Sequence, residues 1–254
     1  MNNIIITDLH CHILPGIDDG AQDPDTSGEL LLSEQQQGIS RILFTPHFYA
    51  HDMELETFLY NRQQAFDRMK ETCGRLGLKT ALGAEVRMDE ELFDYSFDEL
   101  RMGDTPYLLL EWPFLSRTFP LWGDEIVDIL LRQGIRPVFA HIDRYEYFIE
   151  NEERLRYFLE KGCLFQVNAD SCISRRRSGR VFELMKTGLI HIVCSDAHSR
   201  ERRPCQMKSA MEAIGKALGE NTVEFLMENA NNIYEGIEVD GFKKPKRKKL
   251  FGFF

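Results

Sequence analysis

Hydrophobic residues in this chain gather into seven short runs, nearly all of which end in an imidazole or a carboxylate. In order they are IIITDLHCH (4–12), ILFTPH (42–47), ALGAE (81–85), YLLLE (107–111), PVFAH (137–141), LFQVNAD (164–170) and HIVCSDAH (191–198). Their lengths and enrichment in branched apolar residues suit buried strands. Only the sixth ends without an obvious metal ligand. Between the runs the apolar positions recur at helical spacing and each segment closes on glycine. A helix capped by Asp25 or Thr26 is expected to end at Gly38. A stripe of Leu55, Phe58, Leu59, Phe66, Met69, Cys73 and Leu76 ends near Gly77. Further helices are expected over 124–133, 151–161, 179–187, 206–218 and 221–234, followed by Gly134, Gly162, Gly188, Gly219 and Gly236.

Strand, helix, glycine, strand is the pattern of parallel βαβ units with right-handed crossovers. Ligand-type residues from the whole length of the chain must converge, which favours a closed barrel over an open sheet. The expected fold is therefore α/β: a single-domain barrel carrying a multinuclear metal site at the C-terminal ends of its strands, where such folds place their chemistry. Residues 87–106 are less regular and read as loop and short helix. The barrel is expected over 1–240, with 241–254 as a basic and aromatic tail.

Charge sharpens this picture. The net charge is −10, but GFKKPKRKKLFGFF (241–254) holds six basic residues and no acidic one, so the remainder has 25 basic against 41 acidic residues, a net −16. A body this acidic argues against a nucleic-acid partner. The plain reading of the tail is a solvated basic terminus. A sharper reading is a docking segment for a membrane surface or a partner, with Leu250, Phe251, Phe253 and Phe254 as apolar anchors. No run of eighteen apolar residues occurs, and MNNIIITDLH lacks the basic region of a secretory signal. Six cysteines without C-x-x-C pairing read as reduced thiols, and the protein as cytoplasmic.

His10-x-His12 sets two imidazoles on one side of a strand, because strand side chains alternate with period two. Asp196-x-His198 repeats the spacing in the last run, and His47, Glu85, Glu111 and His141 stand at equivalent run ends. Any one of these alone would be a hydrogen-bonded core histidine or a solvated carboxylate. As an ensemble at apolar run ends they would be costly unless paired or metal-bound. Four carboxylates (Asp19, Glu85, Glu111, Asp196) and five histidines suffice for two or three ions sharing bridging ligands. Mixed nitrogen and oxygen ligation suits Mn²⁺, Fe²⁺, Zn²⁺ or Co²⁺, with Mg²⁺ also open. A site of this kind polarises a phosphoryl oxygen and supplies a hydroxide nucleophile at neutral pH. Arg144 and Arg203 are placed for bidentate phosphate contacts. The triplet Arg175–Arg177 is a weaker candidate, read as a solvated loop before the 179–187 helix. Cys194 and Arg200 have the C-x5-R spacing of cysteine-dependent tyrosine phosphatases, but the intervening residues contain no glycine to form a phosphate cradle.

The string DLHCHILPGIDDG, with TPHF, GAE, LLLEWP, AHIDRY and SDAH in that order, resembles the polymerase-and-histidinol-phosphatase (PHP) superfamily over about residues 4–235. Within it the resemblance is greatest to the bacterial manganese-dependent protein-tyrosine phosphatases of capsule and exopolysaccharide clusters. The resemblance implies a distorted (β/α)7 barrel and a trinuclear centre held by His10, His12, Asp19, His47, Glu85, Glu111, His141, Asp196 and His198. Other PHP enzymes tend to have histidine where Asp19 and Glu111 stand. Arg144, and Arg203 in the RRP segment, correspond to the family's phosphate-binding arginines. His51 matches no family ligand and reads as loop surface. The implied cofactor is Mn²⁺, up to three ions, and the implied partner is the tyrosine-rich C-terminal tail of a cognate bacterial tyrosine kinase. No general acid is identified; a tyrosine leaving group, with a pKa of about 10, has little need of one. A small-metabolite phosphatase, such as one for histidinol phosphate, and an inactive kinase-binding scaffold are the alternatives.

Overall fold

The computed structural model describes residues 5–113 and 119–245. Its strands are β1 (Ile6–Asp8), β2 (Ile39–Phe44), β3 (His47–Phe48), β4 (Lys79–Leu82), β5 (Glu85–Arg87), β6 (Tyr107–Glu111), β7 (Arg136–Phe139), β8 (Leu164–Asn168) and β9 (Ile192–Cys194). They form one three-stranded sheet in the order β1-β2-β4 and one six-stranded sheet in the order β3-β5-β6-β7-β8-β9, with every pairing parallel.

The seven runs thus appear as nine strands, because two of them are interrupted. The second breaks at Thr45-Pro46, where proline has no N–H to give to a ladder. The third breaks at Gly83-Ala84. Backbone hydrogen bonds carry the pairing across both gaps, from Gly83 N to Phe44 O (2.8 Å) and from Glu85 N to Pro46 O (3.1 Å). Beyond β1 the chain meets the segment after β9: Cys11 and Ala197 form a parallel bridge, and Asp196 N donates to His10 O (2.8 Å). The parallel sheet is therefore curled.

The helices fall where the apolar spacing puts them: α1 (Pro24–Gln36), α2 (Leu55–Arg75), α3 (Gly123–Arg132), α4 (Glu146–Ile149), α5 (Glu152–Lys161), α6 (Ala169–Ile173), α7 (Ser178–Thr187), α8 (Met207–Leu218) and α9 (Glu220–Tyr234). The short α4 and α6 lack a full apolar stripe, so the spacing gives no sign of them. The cap of α1 is neither Asp25 nor Thr26. Asp23 accepts from Thr26 N (2.8 Å), and Pro24 opens the first turn, where its missing N–H costs nothing. All seven glycines expected to close helices have positive φ, from +69° to +105°. Residues 87–106 contain two 3₁₀ turns, Glu90–Asp94 and Asp98–Leu100.

Alternation along the strands divides the core. Tyr107, Leu109, Val138, Leu164, Ile192 and Cys194 point one way, into a cluster sealed by Ala230 and Ile233 of α9. Leu108, Leu110, Phe139, Phe165 and Val193 point the other way, toward the helices. The first row matters most for function. Continued at two-residue steps, it turns polar: Glu111 follows Leu109, Gln166 and Asn168 follow Leu164, and Asp196 follows Cys194. An apolar plug thereby becomes the floor of a polar site.

Candidate functional site

All nine expected ligands converge. Ligand atoms lying within 4.8 Å of one another define four overlapping groups: His12, Asp19, His47 and His198; His10, His141 and Asp196; His10, His12 and Glu85; and His47, Glu85 and Glu111. Glu85 is fully buried at the middle. Its Oε1 accepts from His141 Nε2 (2.7 Å). Its Oε2 lies 3.2 Å from His10 Nε2, 3.2 Å from His12 Nε2 and 3.0 Å from His47 Nδ1, yet has no hydrogen-bond partner among the described residues. Asp196 Oδ1 is in the same condition, 3.4 Å from His10 Nε2 and 3.6 Å from His12 Nε2. Buried oxygens are rarely left this way without reason. These atoms are aimed at shared points between them.

On His12, His198 and His10 hydrogen-bond partners hold a proton on the outward Nδ1 and turn Nε2 toward the centre. His12 Nδ1 donates to Asp18 Oδ2 (2.7 Å) and His198 Nδ1 to the Asp196 carbonyl (3.0 Å), acceptors that direct both Nε2 atoms at the centre. For His10 the reasoning needs one more step. The His141 backbone N–H donates to Gln166 Oε1 (2.5 Å), so the oxygen of that amide faces His10, and His10 Nδ1 donates to it at 3.3 Å. Gln166 Nε2 then donates to Asn168 Oδ1 (2.9 Å), and Asn168 Nδ2 to Asp196 Oδ2 (2.6 Å). His10 Nε2 and His12 Nε2 end up 3.1 Å apart. Two lone pairs at that separation repel unless a proton or a cation lies between them. Partners that fix the tautomer of a histidine in this way are typical of metal sites.

Local backbone strain marks the same residues. His141 (φ +31°) and Asp196 (φ +52°) are the non-glycine residues with positive φ among those described. Such conformations cost roughly 1 kcal/mol or more each and persist when the surroundings over-determine them. Asp196 is held by Ser195, whose N and Oγ both donate to the buried Asp8 carboxylate (2.9 and 2.5 Å). In the DDG segment, a Cβ on Gly20 would lie 1.9 Å from His12 O, so only glycine permits the loop to fold back over the site.

Electrostatics follow from packing imidazoles among carboxylates. Burial pushes the His12 pKa down, but Asp18 and Glu85 outweigh it and raise it to about 9. His47 reaches about 9 in the same way, through Glu85 and Glu111. Glu111 rises to about 7 because it is buried beside Glu85. Glu85 and Asp196 stay well below the usual carboxylate range despite burial, held there by His10 and its neighbours. Burial lowers His141 and His198. Protons are shared in the positions that divalent cations take in sites with these donors.

Asp19 is two-thirds exposed, with Oδ1 3.2 Å from His198 Nε2 and 3.5 Å from His47 Nε2. Its neighbour Asp18, which the sequence did not single out, is the buried one and also accepts from His47 N (3.1 Å) and Gly20 N (2.9 Å). Gln166 and Asn168 were missed as well. Their signal was the Q-x-N spacing in the sixth run, whose period of two puts both amides on the face occupied by the other run ends.

Arg203 Nη1 donates to His198 Nε2 (2.8 Å) and its Nη2 to Asp196 Oδ2; Arg144 Nη1 lies 3.4 Å from the same oxygen. Arg177 lines the adjoining cavity, whereas Arg175 and Arg176 are exposed. His51 is at the surface, beside Asp89 and Asp52. Cys194 is fully buried, which pushes its thiol pKa well up, and Arg200 is exposed and paired with Glu29 (3.1 Å). That cysteine is no nucleophile. All six cysteines are free thiols, and no helix of the described residues is long and apolar enough to cross a membrane.

Comparison with known proteins agrees with this geometry. Over 97% of its length the chain is 31% identical to the tyrosine-protein phosphatase YwqE of Bacillus subtilis (strain 168), covering 99% of that protein. It is 29% identical to the tyrosine-protein phosphatase CpsB of Streptococcus pneumoniae, over 89% of this chain and 97% of the other. Among solved structures it superposes with a TM-score of 0.82, at 28% identity and covering 95% and 98% of the two chains, on a structure from work on YwqE of B. subtilis and CpsB of S. pneumoniae, described as unique metal-dependent tyrosine phosphatases. A TatD family hydrolase from Entamoeba histolytica, at TM-score 0.58 and 12% identity over 91% of this chain and 98% of the other, shares the fold alone. Residues 6–235 match the family described as "Capsular polysaccharide synthesis, CpsB/CapC", and the chain belongs to that family.

Proposed function

We propose that this protein is a metal-dependent protein-tyrosine phosphatase acting on a bacterial tyrosine kinase that governs capsular or exopolysaccharide synthesis. The observation that carries this reading is the buried Glu85 Oε2, which three imidazole nitrogens approach within 3.2 Å without a hydrogen bond, beside two arginines converging on Asp196 Oδ2. The names of the relatives support the phosphotyrosine specificity.

His10, His12, Asp19, His47, Glu85, Glu111, His141, Asp196 and His198 would hold up to three divalent ions, Mn²⁺ foremost, with Fe, Zn, Co or Mg as competitors. When bound, such ions supply a nucleophile at neutral pH and polarise a phosphoryl oxygen. The chain's own residues do the rest. Asp18, Gln166 and the Asp196 carbonyl keep protons on the outward nitrogens, so that Nε2 of His12, His10 and His198 remains a donor atom. Arg203 uses the His198 Nε2 lone pair that an ion would claim; its guanidinium, with that of Arg144, is positioned to hold the substrate phosphate.

The fold supports a finer reading. With β2 and β3 counted as one interrupted strand, and β4 and β5 as another, the sheet is a distorted (β/α)7 barrel with its metal site at the C-terminal strand ends; the bridge between Cys11 and Ala197 supports closure. The barrel occupies residues 1–240 and the basic tail 241–254. The tail starts packed on the body, where the Gly241 carbonyl accepts from His191 Nε2 (3.0 Å); residues 246–254 lie outside the described residues. We assign the protein to the cytoplasm, the tyrosine-rich C-terminal tail of its kinase as partner, and residues 242–254 as a membrane or partner contact.

The test is hydrolysis of a phosphotyrosine peptide and of histidinol phosphate side by side, with Mn²⁺ and with a chelated control. Chelator-sensitive turnover of the peptide alone is the expected result. Turnover of the small ester alone overturns the proposal.

A further inference from the structure

Next to the metal-ligand cluster lies a cavity of about 350 Å³ whose lining includes Arg144, Arg177, Arg202 and Arg203, with Asp170 and Asp196. Four guanidinium groups against two carboxylates give it a positive charge on a body that is otherwise strongly acidic. Field lines concentrate in such a cleft, so it is where an anionic chain can approach this protein.

Arg144 and Arg203 both reach Asp196 Oδ2 and are taken up by the phosphate that undergoes reaction. Arg177 and Arg202 are not needed for that. Arg202 is exposed and makes no ion pair among the described residues. Its loop is firmly built: the backbone N–H groups of Arg202 and Arg203 both donate to Ser199 Oγ (3.1 and 3.2 Å), and His198 N donates to Arg203 O (3.0 Å). Arg177, in the same lining, is fixed with Nη2 on Asp170 Oδ2 (2.7 Å) and Nη1 3.6 Å from Asp143 Oδ2. Asp143 Oδ1 accepts from Asn168 N (3.0 Å), and Asn168 reaches Asp196. Arg177 is thus tied to Asp196, which Arg144 and Arg203 share, through Asp143 and Asn168, while Arg202 is held next to Arg203 by its backbone.

We infer that Arg177 and Arg202 form a second anion subsite, which receives a negatively charged group flanking the phosphotyrosine on the same peptide. This rests on the phosphatase reading above. The group is a carboxylate or a second phosphate; both satisfy a guanidinium fork, and the phosphate does so with the higher charge.

The experiment compares kcat/KM, in Mn²⁺, for four substrates: free phosphotyrosine, and phosphotyrosine peptides flanked by alanine, by glutamate, or by a second phosphotyrosine. In the wild type the glutamate-flanked peptide should exceed the alanine-flanked one about tenfold, as expected for one charge-assisted contact in a partly desolvated cleft. A further gain with the second phosphotyrosine identifies phosphate as the preferred anion; equal values identify a carboxylate as sufficient. Arg202→Gln should bring the glutamate-to-alanine ratio below about three, and Arg202→Glu should invert it, with Arg177→Gln acting in the same direction. A wild-type ratio near one, or a ratio unchanged in all three variants, overturns the subsite while leaving the phosphatase reading intact. No turnover even of free phosphotyrosine overturns both.

Discussion

Asp18→Asn tests the reasoning on His12 most directly, since it preserves shape and removes one acceptor. In the wild type Oδ2 accepts from His12 Nδ1 (2.7 Å) and from His47 N (3.1 Å), while Oδ1 accepts from Gly20 N (2.9 Å). An amide has one oxygen. Turned toward Gly20, it leaves its NH₂ facing two donors, and His12 relieves the clash by giving up its Nδ1 proton, so that the proton it keeps sits on Nε2, the nitrogen 3.2 Å from Glu85. Turned toward His12, it sets NH₂ against the Gly20 N–H. A hydrogen bond to a charged group is worth about 1.5–3 kcal/mol. Loss of a group that orients a metal-binding histidine lowers metal affinity about 10–100-fold, roughly 1.4–2.7 kcal/mol. The two figures agree, so Mn²⁺ should bind at least one position about 10–100-fold more weakly, with the metal-free fold retained. Competition against a chelating indicator measures the affinity, and thermal unfolding of the metal-free protein checks the fold. Wild-type affinity to within twofold would show that Asp18 does not set the His12 tautomer.

The pH dependence of the metal-free protein has a definite sign. His12 and His47 are raised to about 9, so the stability they contribute is full below about 6.5 and is lost as pH rises toward 9. The melting temperature of chelated protein should fall between those pH values, and the increment from added Mn²⁺ should grow; a flat or rising curve would contradict the proton-filled cluster. Gly20→Ala forces a methyl group against the His12 carbonyl. It should cost roughly 1–3 kcal/mol of stability, read from denaturant unfolding, together with metal content; wild-type values for both would mean the DDG loop is not held as described. Arg144→Ala should weaken inhibition by inorganic phosphate about tenfold or more while metal content by elemental analysis stays unchanged; unaltered inhibition there and in Arg203→Ala would remove both from the phosphate site.

Much of this site was legible in the chain because strand alternation is a local rule. His10 with His12, and Asp196 with His198, needed only a period of two to be put on one face, and apolar runs ending in ligands announced a site above a core. The glycine-closed helices were equally readable, since an αL cap is a requirement of the residue itself. The interruptions of the second and third runs were less so. Pro46 signalled the first, but Gly83 became a break only where it approaches the Arg101 carbonyl and Met102.

By itself, then, the sequence determined which chemistry the chain can carry: nine ligand-type residues and two arginines in a parallel α/β framework. The tertiary structure decided which neighbour does what. Asp18 and Asp19 are adjacent and identical in type, yet one is buried against His12 and the other is exposed near His198. Gln166 and Asn168 gained a role only because His10, His141 and Asp196, from three other segments, came within hydrogen-bond reach. Arg177 reads in the chain as one of three solvated arginines, and only the fold brings it into one cavity with Arg202 and Arg203. The physical reason is one of range. Backbone periodicity acts over a few residues and is written in the chain, whereas hydrogen bonds and charge pairs depend on distances between segments that only the closed fold sets.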